Sequence, residues 1–85
     1  MTIDFHRNFT KNFKKLPSKI KKKFQDRLTL FEKDEFHPAL NNHLLRGSYQ
    51  GYRSINVTGD IRAIYRKNAE DVIFVTIDSH SRLYG

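Results

Sequence analysis

The chain of 85 residues contains no cysteine, so it can form neither a disulfide framework nor a thiolate metal site. It has no apolar run near the roughly 20 residues that a membrane-spanning helix needs. Met1–Lys11 also lacks the apolar core of a signal peptide. No membrane contact is therefore expected, and a reducing cytoplasm suits a cysteine-free chain. Negative charge is scarce in one place. Residues 1–33 hold three acidic side chains, Asp4, Asp26 and Glu32, against ten Lys or Arg, whereas residues 34–85 hold six of each sign. The whole net charge of +7 thus lies in the first part of the chain. Such a one-sided field attracts polyanions, which points to nucleic acid or an acidic protein partner. The length allows one domain, 1–85, which buries only about 60–65% of its unfolded surface.

Apolar spacing divides the chain in two. Phe5, Phe9, Phe13 and Leu16 follow a 4, 4, 3 spacing, and Ile20, Phe24, Leu28 and Phe31 repeat it. Both stripes predict amphipathic helices whose faces are core. Pro17 separates them and Ser18 can cap the second, which makes an antiparallel αα-hairpin. Met1–Asp4 can add a short strand, and residues 36–51 read as a loop. Strands are expected at about 52–57, 61–67 and 72–78.

A three-residue hairpin loop at Thr58-Gly59-Asp60, with Gly59 at positive φ, would pair residue 57 with 61 and 56 with 62. Ile55, Val57, Ile61, Ala63 and Tyr65 then share an apolar face with Arg53 at its end, while Tyr52, Ser54, Asn56, Arg62, Ile64 and Arg66 share the other. By the same alternation, Ile73, Val75 and Ile77 are expected on the apolar face and Phe74, Thr76, Asp78 and His80 on the open one. The fold class is α+β.

Three runs carry a further signal: Leu45-Arg46-Gly47-Ser48-Tyr49-Gln50-Gly51-Tyr52-Arg53, Gly59-Asp60-Ile61-Arg62-Ala63-Ile64-Tyr65 and Ser79-His80-Ser81-Arg82-Leu83-Tyr84. In this order and spacing they resemble the RelE/ParE toxin superfamily, and its YafQ-like branch in particular. The resemblance spans essentially the whole chain. It implies a RelE-like fold, an N-terminal αα-hairpin on a mainly antiparallel sheet in the order β-α-α-β-β-β. It also implies an mRNA interferase, a ribosome-dependent endoribonuclease neutralised by a cognate antitoxin in a hetero-oligomer. His43 matches the histidine before the L-x-G motif, Asp60 the aspartate after the hairpin turn, and His80 the C-terminal histidine. Tyr84 stands where these toxins often have a base-positioning Phe, and Arg62 matches the arginine of the R-x-[IL]-Y strand. Asn56 departs from the pattern, since it occupies the place of a further histidine and carries no proton at neutral pH.

The residues suggest the same chemistry without the family. RNA supplies its own nucleophile, the 2′-hydroxyl, so a nuclease needs a base, an acid and a clamp for the phosphorane. Histidine titrates near neutrality and arginine offers fixed planar donors. His80 is assigned as acid, His43 as base, Arg62 as clamp and Asp60 as orienter of a histidine or the ribose; His43 and Asp60 could exchange roles. Tyr84 can stack on a base, Asn56 can donate to phosphate, and Lys15, Lys22 and Lys23 form a basic face for ribosomal RNA. Arg53 could contact phosphate or form an ion pair with Asp60, the second being favoured. His6 and His37 receive no role. Two histidines without a carboxylate pattern make a poor metal site, and the glycines form no phosphate loop, so neither metal nor cofactor is expected. The other readings are a ParE-like gyrase inhibitor, which needs no proton-transfer pair, and a non-catalytic module binding nucleic acid or antitoxin.

Overall fold

A computed structural model describes residues 1–84. The order is β1 (Thr2–Phe5), α1 (Arg7–Lys14), α2 (Ser18–Lys33), β2 (His43–Leu44), β3 (Arg53–Asn56), β4 (Ile61–Asn68), β5 (Asp71–Ser79) and α3 (His80–Tyr84). Single 3-10 turns lie at Pro38–Leu40 and Gly47–Tyr49. The five strands form one sheet in the order β1-β5-β4-β3-β2, in which β1 runs parallel to β5 and the other pairs are antiparallel. The α+β architecture and the αα-hairpin are as expected. The strand β2 and the helix α3 are additional, because two and five residues are too short to give a periodic signal.

Phe9 of α1 and Phe24 and Phe31 of α2 are buried against Ile55, Val57, Ala63, Tyr65, Phe74 and Ile77 on one face of the sheet. Phe5 ends β1 rather than starting the helix, and its ring still lies 5.0 Å from that of Phe9. His6 caps α1, its Nδ1 accepting from Asn8 N–H at 3.0 Å. Pro17 fills the cap position of α2 without a side-chain bond, so Ser18 is the first helical residue and not the expected cap.

The β3–β4 register is the expected one, with Asn56 opposite Arg62 and Ile55 opposite Ala63. Its turn is built differently. Gly59 has no positive φ; the Thr58 hydroxyl instead accepts from the N–H groups of Asp60 (3.2 Å) and Ile61 (3.0 Å). Positive φ falls at Gly47 (68°) and Gly51 (89°), in the turn between β2 and β3.

Strand β5 corrects the alternation. Thr76 pairs with Ile64 but Phe74 pairs with Tyr65, leaving Val75 as the extra residue of a β-bulge. The bulge reverses the phase of the strand. Phe74 therefore points into the core, and Ile73 pairs with Arg66 on the opposite face. Val72-Ile73-Phe74-Val75 is apolar on both parities, so the sequence offers no alternation from which the shift could be read.

A polar cluster closes the helical side of the sheet over β3 and β4. Glu35 accepts from Lys67 Nζ (2.7 Å) and from the Tyr65 hydroxyl (2.6 Å). Asn42 Nδ2 donates to that hydroxyl (2.7 Å), while its Oδ1 accepts from Arg53 Nε (2.8 Å). The Arg53 guanidinium lies over the Phe36 ring at 5.1 Å, a cation–π contact. Burial alone would raise the Glu35 carboxyl pKa. Hydrogen bonds from Lys67 and Tyr65, with the charges of Lys67 and Arg53, outweigh it and leave the pKa below its usual value. Burial, together with the bond to that carboxylate, pushes the Tyr65 hydroxyl well up.

A depressed carboxyl stabilises the fold above its unfolded pKa of about 4.3, and that contribution disappears as pH falls through the lower folded value. Urea unfolding across pH 2–7 is expected to show stability decreasing on the acid side. Glu35→Gln should flatten this decrease and unfold at lower urea at pH 7. Removing the Tyr65 hydroxyl with Phe should lower stability by about 1–2 kcal/mol.

Candidate active site

The face of the sheet turned away from α2 is where most of the candidate residues meet. Cross-strand pairing defines its rows. His43, Ser54, Ile64 and Thr76 form one, and Asn56, Arg62 and Asp78 form the next. Asp60 and His80 follow at the end of the sheet, where the His80 N–H donates to the Asp60 carbonyl at 2.8 Å. His80 thus opens α3 rather than extending β5. Its ring packs edge-to-face on Tyr84, one turn later, with centroids 4.8 Å apart. Arg82, Leu83 and Tyr84 face Arg46, Gly47 and Ser48 across a cavity of about 580 Å³. The last helix therefore stands opposite the turn that follows His43.

The histidines differ in which nitrogen is free. His43 Nδ1 lies 2.9 Å from the Asn41 carbonyl. A carbonyl only accepts, so Nδ1 carries the proton and Nε2 keeps its lone pair in the neutral ring. His6 and His37 do the reverse, each Nδ1 accepting a backbone N–H two residues on, at 3.0 Å. These two are caps with Nε2 protonated, so of the three histidines whose Nδ1 is bonded to backbone only His43 keeps a ring nitrogen free to take a proton.

Arg62 is half-buried, and its Nη1 donates to the Thr58 carbonyl at 2.9 Å. That bond ties the guanidinium to the hairpin. Asn56 is half-buried beside it, and its Oδ1 is buried without a partner. Ser54 Oγ, in the neighbouring row, is buried and unpartnered as well. Asp78 accepts from Ser79 N–H at 2.8 Å and lies 4.0 Å from Arg82, so it acts as a hydrogen-bond acceptor at the end of the strand. Among the described residues, no three side chains of His, Asp or Glu gather into a group that could hold a metal.

Other candidates lie elsewhere. Arg53 is on the helical side, bound to Asn42; it pairs with neither Asp60 nor the open face. Its position follows from its parity with Ile55. Lys22 and Lys23 are exposed on α2, on the far side of the sheet from His43 and Arg62. Lys15 borders a smaller cavity with Asp78 and Arg82. Sequence reasoning gave no role to Arg46 and Arg82, the cations beside Tyr84. The motif that contains Tyr84 also contains Arg82, so the signal was present.

Comparison with known proteins agrees with this architecture. The sequence model of a family described as "Bacterial toxin of type II toxin-antitoxin system, YafQ" matches residues 1–85. The chain belongs to the YafQ family. Its structure is similar to that of YafQ from E. coli BL21(DE3), at 24% identity and a TM-score of 0.83 over 98% of this chain and 97% of that one. YafQ in the E. coli DinJ–YafQ toxin–antitoxin complex is 25% identical, with a TM-score of 0.79 over 98% and 96% of the two chains. The fold extends to the RelB–RelE antitoxin–toxin complex of Methanococcus jannaschii, at 21% identity and a TM-score of 0.76 over 95% and 94%. No curated protein matches the chain by sequence.

The tautomers of these histidines are directly measurable. Long-range ¹⁵N–¹H correlation spectra near pH 8 are expected to show His43 protonated on Nδ1 and both His6 and His37 on Nε2. An Nε2-protonated His43 would remove its free lone pair from the open face.

Proposed function

We propose that the chain is a cytoplasmic endoribonuclease toxin that cuts mRNA on the ribosome and is silenced by an acidic antitoxin. The observation that carries this reading is the tautomer of His43. Its free Nε2 belongs to a side chain on the same sheet face as Asn56 and Arg62. His43 takes the proton of the 2′-hydroxyl, whose oxygen attacks the adjacent phosphorus. The bond from phosphorus to O5′ breaks, leaving a 2′,3′-cyclic phosphate, and His80 gives O5′ its proton. Arg62, fixed by Thr58, donates to the equatorial oxygens as charge builds in the phosphorane. Asp60, tied to the backbone of His80, orients that imidazole or the ribose, and Tyr84 stacks on a base.

Asn56 supports a second reading, a non-catalytic binding module, because it cannot shuttle a proton where relatives carry histidine. Expression alone in bacteria, followed by mapping of mRNA ends, separates the two. His80→Ala should fold and lose about 10²–10⁴-fold in cleavage rate, the usual contribution of a positioned acid. Asn56→Ala should slow cleavage and Asn56→His should keep or raise it. Undiminished cleavage by a folded His80→Ala protein would remove His80 from the mechanism.

The exposed lysines of the helical layer suit ribosomal RNA, and an acidic antitoxin segment suits the same charge. DinJ and RelB, the antitoxins in the related complexes, make such a partner the natural expectation here. Reversing Lys15, Lys22 and Lys23 to Glu should weaken ribosome binding. Its log–log salt dependence should become shallower by roughly 0.7–0.9 for each phosphate that the protein no longer neutralises. An unchanged slope would mean that the lysines only solubilise the protein.

A further inference from the structure

The open face continues past the row of His43 into a second cavity of about 500 Å³, between α1 on one wall and the 47–52 turn on the other. Ser48 borders this cavity and the one beside Tyr84, so the two are parts of one groove. Its chemistry differs from that of the site around Arg62. Lys11 of α1 and Arg66 of β4 line it from different elements, and no carboxylate does. Neither cation has an ion-pair partner among the described residues. Tyr49 and Tyr52 line it as half-buried rings, 6.1 Å apart and tilted by 73°, an edge-to-face contact that occupies one face of one ring and leaves their other faces unstacked on each other. His6 stands on the wall with Nε2 as a donor, because Nδ1 is committed to the cap. The wall is fixed in place by Asn12, whose Nδ2 donates to Thr76 Oγ1 at 3.2 Å.

Two unpaired cations, an available aromatic face and a ring donor are what a single unstacked nucleotide requires. The phosphate takes the cations, the base takes the ring, and the volume lies within the usual range for small ligands. A double helix offers no unstacked base to a tyrosine, so these groups select single-stranded RNA. Arg66 and Arg62 lie four residues apart on the same face of β4, about 13 Å of strand. That separation lets one strand run from the scissile phosphate into the cavity. We propose that this cavity is a nucleotide subsite for RNA flanking the cut, with Tyr52 against a base and Lys11 and Arg66 on a neighbouring phosphate. This inference rests on the ribonuclease reading and adds a second point of attachment to it.

The probe is a fluorescein-labelled hexaribonucleotide with 2′-O-methyl groups throughout, which cannot be cleaved because its nucleophile is blocked. Anisotropy titrations at several salt concentrations would use it single-stranded and as a blunt duplex. The full-length protein should bind the single strand more tightly. The Lys11→Gln, Arg66→Gln double variant should bind it less tightly, with a log–log salt slope reduced by about 0.7, the share of the one phosphate that the two cations neutralise. Tyr52→Leu should weaken binding about tenfold at an unchanged slope, and Tyr52→Phe, which keeps the ring, should retain wild-type affinity. A 4-thiouridine in the single strand should crosslink to the 47–52 turn of the wild-type protein, which tests the site without any substitution.

Failure of the wild-type protein to bind the strand, equal affinity for the duplex, or an unchanged slope in the double variant would overturn the subsite. Loss of binding in the double variant with no cleavage by the wild type would overturn the catalytic reading and leave the subsite standing. Wild-type binding in the double variant with cleavage that depends on His80 would do the opposite.

Discussion

Phe74 is the residue on which the packing of both layers turns. Its ring lies within 6 Å of those of Phe5, Phe9, Phe24, Phe31 and Tyr65, so β1, both long helices and β4 all meet on it. It reaches that position only because Val75 bulges out of the ladder. Without the bulge, the phase that brings Thr76 and Asp78 to the open face would bring Phe74 there too. The core would then lose its central ring, and an aromatic side chain would occupy the groove. One extra residue thus satisfies two demands that a regular strand could not meet together. It falls where β1 ends and α1 takes over the edge of β5. There the His6 N–H closes the last bond to the Phe74 carbonyl, at 2.8 Å.

The two faces of the sheet treat charge in opposite ways. On the helical side Glu35 collects Lys67 and Tyr65, while Asn42 holds Arg53. Hydrogen-bonded in this way, the polar groups serve stability. On the open side the cations have few partners: Arg62 bonds only to backbone carbonyls, and Arg46, Arg66 and Lys11 form no ion pair among the described residues. Asp78, the acidic side chain in the row of Arg62, lies 4.0 Å from Arg82 and forms no ion pair with Arg62. The buried, unpartnered oxygens of Ser54 and Asn56 lie in this same region. Buried polar atoms without partners lower stability, and here they sit beside His43 and Arg62 on the open face.

Much of this was legible in the residues. The 4, 4, 3 spacings marked both helices, and polarity sorting about Thr58-Gly59-Asp60 gave the β3–β4 register that is observed. The same sorting put Arg53 with Ile55, yet it was also considered for phosphate; parity was the better guide. What escaped had local causes. The bulge sits in a run that is apolar on both parities. The hairpin uses a threonine hydroxyl in place of a left-handed glycine. The helix α3 is a single short turn region whose start depends on the bond between His80 and Asp60. His6 and His37 serve as caps, a use that depends on backbone angles that spacing does not encode. Arg66 shares the parity of Arg62, so its place on the open face was readable; Lys11 became meaningful only once α1 was seen to flank that face.

The parallel pairing of β1 with β5 joins Thr2 to Asp71 and Phe5 to Phe74, nearly the full length of the chain apart. During synthesis the first strand and the first helix therefore wait for a partner that emerges last. Neither the aromatic core nor the end of the sheet that carries His80 can be completed on a nascent chain that stops short of β5. Pairings so distant in sequence also fold slowly. The order of translation thus holds back the whole assembly: the face that carries His43, Arg62 and His80 comes together only once the fifth strand has been made.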